Sequence, residues 1–203
     1  MNKKIQTIIS IALVQLMLIS CNSEKEIKPS NFTVAFLKGE AERVNLPSKL
    51  KAFDLIPESE TVKTSASAVL DLATDLGSIR LLGETTVILA KLNQETLEFN
   101  VNNGNILVKS TKLQKGQTLR VSTPTVVAAV RGTEFWGQVN KETETGTFAV
   151  RDGAVEITRK SDNITILIEK GQALDIDPKA KDWKVRTAKQ GELDAMAQID
   201  EIK

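Results

Sequence analysis

Few side chains in this 203-residue chain could do covalent or acid-base chemistry: one cysteine, Cys21, and a scatter of carboxylates, with no histidine or tyrosine. A histidine-based triad, a histidine-liganded metal site, a zinc cluster of cysteines and a disulfide framework each need residue types the chain lacks. Carboxylate, hydroxyl or lysine chemistry remains. Paired carboxylates could hydrolyse a glycosidic bond, and the candidates are Asp71, Asp75, Glu134, Asp152 and Asp175. They form no distinctive constellation, and charged residues beside turns belong as a rule to solvated faces. Asp175, Asp177 and Asp182 lack the glycine and terminal glutamate of a calcium loop. The expectation is a protein with no catalytic residue, metal or cofactor, acting through a surface. With 27 basic against 26 acidic residues, no bulk field draws it to nucleic acid.

The cysteine has a distinctive context. Lys3 and Lys4 precede an apolar stretch of 12 residues, Ile8 to Ile19, short of the roughly 20 needed to span a bilayer as a helix. This reads as an export signal. It ends in Leu18-Ile19-Ser20-Cys21, which resembles the lipobox of bacterial lipoproteins. The thiol would accept a diacylglyceryl group, and the small Ser20 would admit the signal peptidase that cuts between Ser20 and Cys21. Removing 20 of the 203 residues leaves 183, with 25 basic against 26 acidic side chains and a net charge of −1. At about 0.8 kcal/mol per buried methylene, two or three palmitate-type chains would hold the protein on a membrane without spanning it. Asn22 is not the aspartate that some bacteria read as inner-membrane retention, which favours the outer membrane, facing the periplasm or the surface.

The rest of the chain must supply and position that surface. Residues 21–31 contain one large apolar side chain and read as a flexible tether. From Phe32, short alternating runs are broken by Gly, Asn-Gly, Asp-Gly and Pro about every ten residues. The pattern is all-β over 32–178. Phe99-Asn-Val101-Asn-Asn103-Gly104-Asn-Ile106-Leu-Val108 matches Phe148-Ala-Val150-Arg-Asp152-Gly153-Ala-Val155-Glu-Ile157, apolar for apolar. Lys115-Gly116-Gln117 likewise matches Lys170-Gly171-Gln172, and Asp75-Leu76-Gly77 is a fainter relative. Asn-Gly and Asp-Gly are preferred in type I′ turns, so each copy reads as a hairpin. Stacked hairpin repeats predict a β-solenoid-like fold or a layered β stack. Residues 179–203 read as a linker and an amphipathic C-terminal helix, with Leu193, Met196, Ile199 and Ile202 spaced by three. Gly191 would weaken a first turn, so the helix is expected to begin after it.

The densest pattern is Val121-Ser-Thr123-Pro124-Thr-Val126-Val127-Ala128-Ala129-Val130-Arg131-Gly132-Thr133-Glu134-Phe135. Pro124 should open a strand, Val126 to Val130 should be a buried run, and Gly132 should permit a bend from which Arg131 emerges. The stretch resembles the signature of the FecR domain family, whose members carry Thr-Pro, a small-apolar run and Val-Arg-Gly-Thr-x-Phe. Gly39-Glu40, Val62-Lys63-Thr64, Ala68 to Leu72, the two Asx-Gly sites and Gly171-Gln172 extend the likeness over Phe32 to Ile176. The family's name-giving members are sigma-factor regulators with a cytoplasmic anti-sigma domain, one transmembrane helix and a periplasmic β domain that relays receptor occupancy. Before Phe32 this sequence has no room for the first two parts, so the resemblance implies a β domain on a lipid anchor that does not perform the cytoplasmic step itself.

Two functions from different classes follow. The first is a non-enzymatic, lipid-anchored envelope domain that binds another envelope component, a protein, in signalling or scaffolding. Arg131, Gly132, Thr133, Phe135 and Trp136 are its candidate contacts, and an open sheet edge could accept a partner's strand. The second is a glycan-binding lipoprotein that uses an exposed tryptophan, Trp136 or Trp183, as its platform. Against it, both tryptophans could fill the core or cover the helix junction.

Overall fold

Alternating apolar and polar residues put one face of each strand into a core, and short turns bring neighbours together antiparallel. The computed structural model describes residues 31–202 except Thr111 and Arg131. Its first strands are β1 (Phe32–Lys38), β2 (Ala41–Arg43), β3 (Ser48–Lys49), β4 (Leu55–Ile56), β5 (Thr61–Thr64), β6 (Val69–Thr74), β7 (Gly77–Leu81) and β8 (Thr86–Leu92). There follow β9 (Thr96–Ser110), β10 (Thr118–Ser122), β11 (Val126–Val130), β12 (Glu134–Val139), β13 (Gly146–Asp152) and β14 (Ala154–Arg159). The chain ends with β15 (Thr165–Glu169), β16 (Gln172–Ile176), β17 (Val185–Thr187), helix α1 (Gln190–Ala197) and a 3₁₀ turn (Gln198–Glu201).

The strands form two layers. Sheet I has the order β4-β1-β6-β7-β9-β12-β13-β16-β17, antiparallel throughout. Sheet II has the order β3-β2-β5-β8-β9-β10-β11-β14-β15. The inner faces share one core, with Phe32 of sheet I meeting Phe99 of sheet II at 5.6 Å between ring centroids. The expected layered stack is therefore the form adopted. The solenoid alternative is not, because the only parallel pairing among the described residues is β9 with β10.

Strand β9 belongs to both layers, and it corrects the hairpin reading. Its first half pairs with β8 and β10 in sheet II, and its second half with β7 and β12 in sheet I. Leu97, Phe99 and Val101 face the core, then Ile106 and Val108, so the inward parity changes from odd to even. An extra residue, Asn102, absorbs the change, since Thr86 opposes Asn103 while Val87 opposes Val101. Gly104, at φ 108°, turns the strand across the sandwich. A Cβ there would lie 2.3 Å from Thr85 Oγ1 and 2.5 Å from Thr85 Cα.

The second copy does the same with the layers exchanged. β13 lies in sheet I and β14 in sheet II, Arg151 is the extra residue, and Asp152-Gly153 forms the corner. The repeat is real, but its unit is a sheet-crossing corner. Asx-Gly served equally well because a corner and a type I′ turn both need positive φ. Only the fainter relative is a tight hairpin, with Thr74 opposite Gly77 across Asp75-Leu76.

Three further expectations change. Pro124 lies in the turn before β11, where Thr123 Oγ1 accepts the Val126 N–H at 3.1 Å. In β11 itself Val126, Ala128 and Val130 are buried while Val127 and Ala129 are half-exposed, because nothing described covers the outer face of sheet II there. The supposed linker contributes β17, which pairs with β16 at the edge of sheet I.

Candidate interaction surface

The dense motif of residues 121–135 turns out to be a latch between corners. β11 and β12 pair with β14 and β13, so the two chains cross from sheet to sheet side by side. At the crossing Gly132 has φ 71° and Gly153 φ 81°. A Cβ on Gly153 would sit 3.0 Å from both Gly132 O and Thr133 Oγ1. Thr133 Oγ1–H donates to Ala154 O at 2.8 Å, and Thr133 O accepts the Ser110 N–H at 3.1 Å. Thr133 and Phe135 are buried, and Trp136 lies beneath the C-terminal helix. These three cannot supply a partner-contact surface: the bend folds their side chains into the protein. Gly132 is half-exposed. Arg131, Ser20 and Cys21 lie outside the described residues.

The outer face of sheet I is covered by the chain's own C-terminus. Leu107, Trp136, Ala149 and Ala173 form its apolar floor, and Met196, Ile199 and Ile202 pack on it. A three-residue spacing drifts around an α-helix, which leaves Leu193 exposed, while the 3₁₀ turn keeps Ile199 and Ile202 eclipsed. Helix α1 starts at Gln190, before Gly191, because Glu192 reaches back to accept the Lys189 N–H at 2.7 Å.

Three arginines from sheet I fasten this cover. Arg80 makes a bidentate pair with buried Asp71, at 2.7 and 2.9 Å, and donates to Gln198 O and Glu201 O at 3.2 and 3.0 Å. Arg151 holds Asp200 at 2.7 and 2.8 Å. Arg186 bridges Asp175, at 2.6 and 2.7 Å, and Glu192, at 2.6 and 2.9 Å. Hydrogen bonds from Arg186 hold the Asp175 and Glu192 carboxyls below their ordinary range, and the Arg80 guanidinium is raised by its bond to Asp71. Two of the candidate acid-base residues, Asp71 and Asp175, are thus engaged in fastening. Asp152 pairs with Lys170 at 3.1 Å, Glu134 lies 3.7 Å from Arg151, and Asp75 sits exposed in its hairpin.

A tryptophan platform is not offered either. Trp136 is under the helix, and Trp183 is half-buried, stacked by Arg159 at 4.1 Å and donating Nε1–H to Asp177 O at 2.8 Å.

An open edge is what remains. β3 and β4 are two residues long and β17 is three, but β15 runs for five and pairs only with β14. The Arg159 N–H donates to Ile164 O and the Lys170 N–H to Gly153 O. That alternation turns the backbone groups of Ile166 and Ile168 toward β14, and those of Thr165, Leu167 and Glu169 outward. Glu169 N–H is met by Gln172 Oε1 at 2.8 Å. Thr165 and Leu167 present theirs at the rim, with Leu167 and Ile164 exposed beside them. The strand contains no proline or lysine, the usual guards of such an edge. The sequence signal was the run Thr-Ile-Leu-Ile-Glu between Asn163 and Gly171, which the motif reading passed over.

Two packed sheets, antiparallel except for the β9–β10 pair, with a helix on one outer face make up this β domain. Residues 60–156 match the family model described as FecR protein. No curated protein matches the sequence. Two crystal structures of a proposed anti-sigma factor from Parabacteroides distasonis are similar, with TM-scores of 0.59 and 0.58, each at 13% identity and over 68% of this chain. The chain spans 64% of the length of those structures. At that identity the likeness shows the fold. Among the described residues no helix is long and apolar enough to cross a membrane.

Proposed function

We propose that this chain is a non-enzymatic, lipid-anchored regulatory domain of the bacterial envelope, held at Cys21 and receiving an extended segment of another envelope protein along β15. The FecR match and the anti-sigma-factor-like fold support the regulatory class. The observation that carries the binding mode is the five-residue edge strand, free of proline and lysine, whose outward backbone groups at Thr165 and Leu167 are spaced to accept a strand. Asn22, in place of the aspartate that some bacteria read as inner-membrane retention, favours the outer membrane. The partner's occupancy, not a reaction, would be the signal.

The test is recovery of cross-linked protein from intact envelopes for the parent and for Leu167→Lys. Leu167 is half-exposed, so the lysine should leave melting unchanged while charging the rim. The proposal expects a discrete partner with the parent and its loss with Leu167→Lys. A partner retained equally by both would refute strand addition at β15.

A further inference from the structure

The opposite edge of the sandwich carries a different surface. Four of the eight exposed large apolar side chains among the described residues fall within positions 44–55: Val44, Leu46, Phe53 and Leu55. Leu46 is 63% exposed and Phe53 80%. They lie on the β2–β3 turn and on the corner from β3 to β4, which are the terminal strands of sheets II and I. The corner is held open deliberately. Phe53 adopts φ 70°, a conformation a bulky residue rarely keeps, while its N–H donates to Val34 O at 2.8 Å. The Lys51 N–H donates to Asp54 Oδ2 at 2.9 Å, and the Val34 N–H to Asp54 O at 2.9 Å. Strain of this kind persists only where surrounding bonds over-determine it, and here it presents an aromatic ring to solvent.

Position relative to the anchor says what should cover it. Leu55 opposes Thr33 and Ile56 opposes Phe32, so the patch adjoins the point where the chain enters the domain. Cys21 and Phe32 are eleven residues apart, a reach of at most about 40 Å at full extension. An acylated Cys21 would therefore bring this edge to the bilayer with the shortest span of tether, and insertion of its apolar side chains would fix the orientation. Eight strand spacings of about 4.8 Å place β15 about 40 Å away at the far edge. Residues 43–55 also carry Arg43, Lys49 and Lys51 against Asp54. Lys49 is engaged with Glu40 at 2.6 Å, so attraction to anionic lipid is a minor contribution and apolar insertion the main one.

We infer that the 44–55 edge, led by Phe53 and Leu46, rests in the interfacial region of the membrane that holds the lipid, which orients β15 outward toward its partner. This rests on lipidation of Cys21, part of the reading above. Phe, Leu and a neighbouring lysine stem suit the headgroup boundary, where apolar rings bury and ammonium groups stay wet.

The test uses the acylated full chain reconstituted into phosphatidylethanolamine–phosphatidylglycerol vesicles. Because Cys21 is the sole cysteine, single replacements Phe53→Cys, Leu46→Cys and Leu167→Cys can each carry an environment-sensitive thiol fluorophore, with thermal melts confirming the fold. The inference expects a blue shift and quenching by shallow spin-labelled lipid at positions 53 and 46, and solvent-like emission at 167. A label at 53 that is no more shielded than the one at 167, on a chain whose Cys21 resists thiol reagent, overturns the membrane contact alone. A label shielded in native envelopes but solvent-like in the protein-free vesicles also overturns it and assigns the patch to a protein. A parent chain whose Cys21 reacts freely overturns the anchor and, with it, the choice of a bilayer as occupant.

Discussion

Replacing Gly104 by alanine separates a sheet-crossing corner from a hairpin turn. In an exposed type I′ turn the cost would be the backbone preference alone, about 1–2 kcal/mol. In the structure Gly104 is buried at φ 108°, and the new Cβ would lie 2.3, 2.5 and 2.7 Å from Thr85 Oγ1, Cα and Cβ. Two of those atoms are backbone or bound directly to it, so Thr85 must move as a unit. Its Oγ1 accepts the Asn105 N–H at 3.0 Å and donates to Asn105 O at 3.1 Å, and its own N–H donates to Thr64 Oγ1 at 3.0 Å. Overpacking of this kind costs about 1–3 kcal/mol and each weakened buried bond about 1 kcal/mol. With the backbone preference the sum is about 4 kcal/mol, a fall in Tm of about 8–16 °C for a domain of this size. Urea unfolding followed by circular dichroism measures it. Gly116→Ala is the control, since Gly116 has φ 95° but no atom within 4 Å of the added carbon. A loss at Gly104 no greater than that at Gly116 would refute the corner.

Other perturbations test the remaining parts. Thr133→Val keeps the shape but removes the donor to Ala154 O, and should cost about 1–3 kcal/mol in chemical denaturation, as expected of a latch and not of a contact residue. Gly191→Ala adds a methyl where nothing lies within 4 Å and should raise stability by about 0.5–1 kcal/mol; a lower Tm would contradict the helix start at Gln190. Asp175 and Glu192 are held below their ordinary range by Arg186, so their contribution is complete above about pH 4.5 and disappears as pH falls through their folded values. Amide exchange in α1 should therefore rise on acidification before exchange in the sheets does, and Arg186→Met should abolish that difference.

Much of the fold was legible in period-two alternation, because each half-buried strand must show its core face in sequence. The corners were not. Phe99, Val101 and then Ile106, Val108 look like two arms of a hairpin, and only long-range pairing with β7, β8, β10 and β12 reveals one strand passing between layers. The helix was visible in Met196, Ile199 and Ile202, but its fastening by Arg80, Arg151 and Arg186 joins residues up to 121 positions apart. The motif drew attention to Thr133, Phe135 and Trp136 for their pattern, whereas pattern strength there reflects a crowded crossing. The open edge was hidden for the opposite reason: β15 is an unremarkable apolar run, and its exposure depends on which strand is last in sheet II.

The most direct measurement of the account's central claim is site-specific photo-cross-linking in intact envelopes, with a photoreactive residue at Leu167 on the β15 rim or at Leu193 on the exposed face of α1. Strand addition predicts a discrete protein adduct from position 167, lost when Thr165→Pro removes an outward N–H, and none from position 193. Adducts from 193 with none from 167, or an adduct at 167 of only twice the chain's own mass, would contradict it.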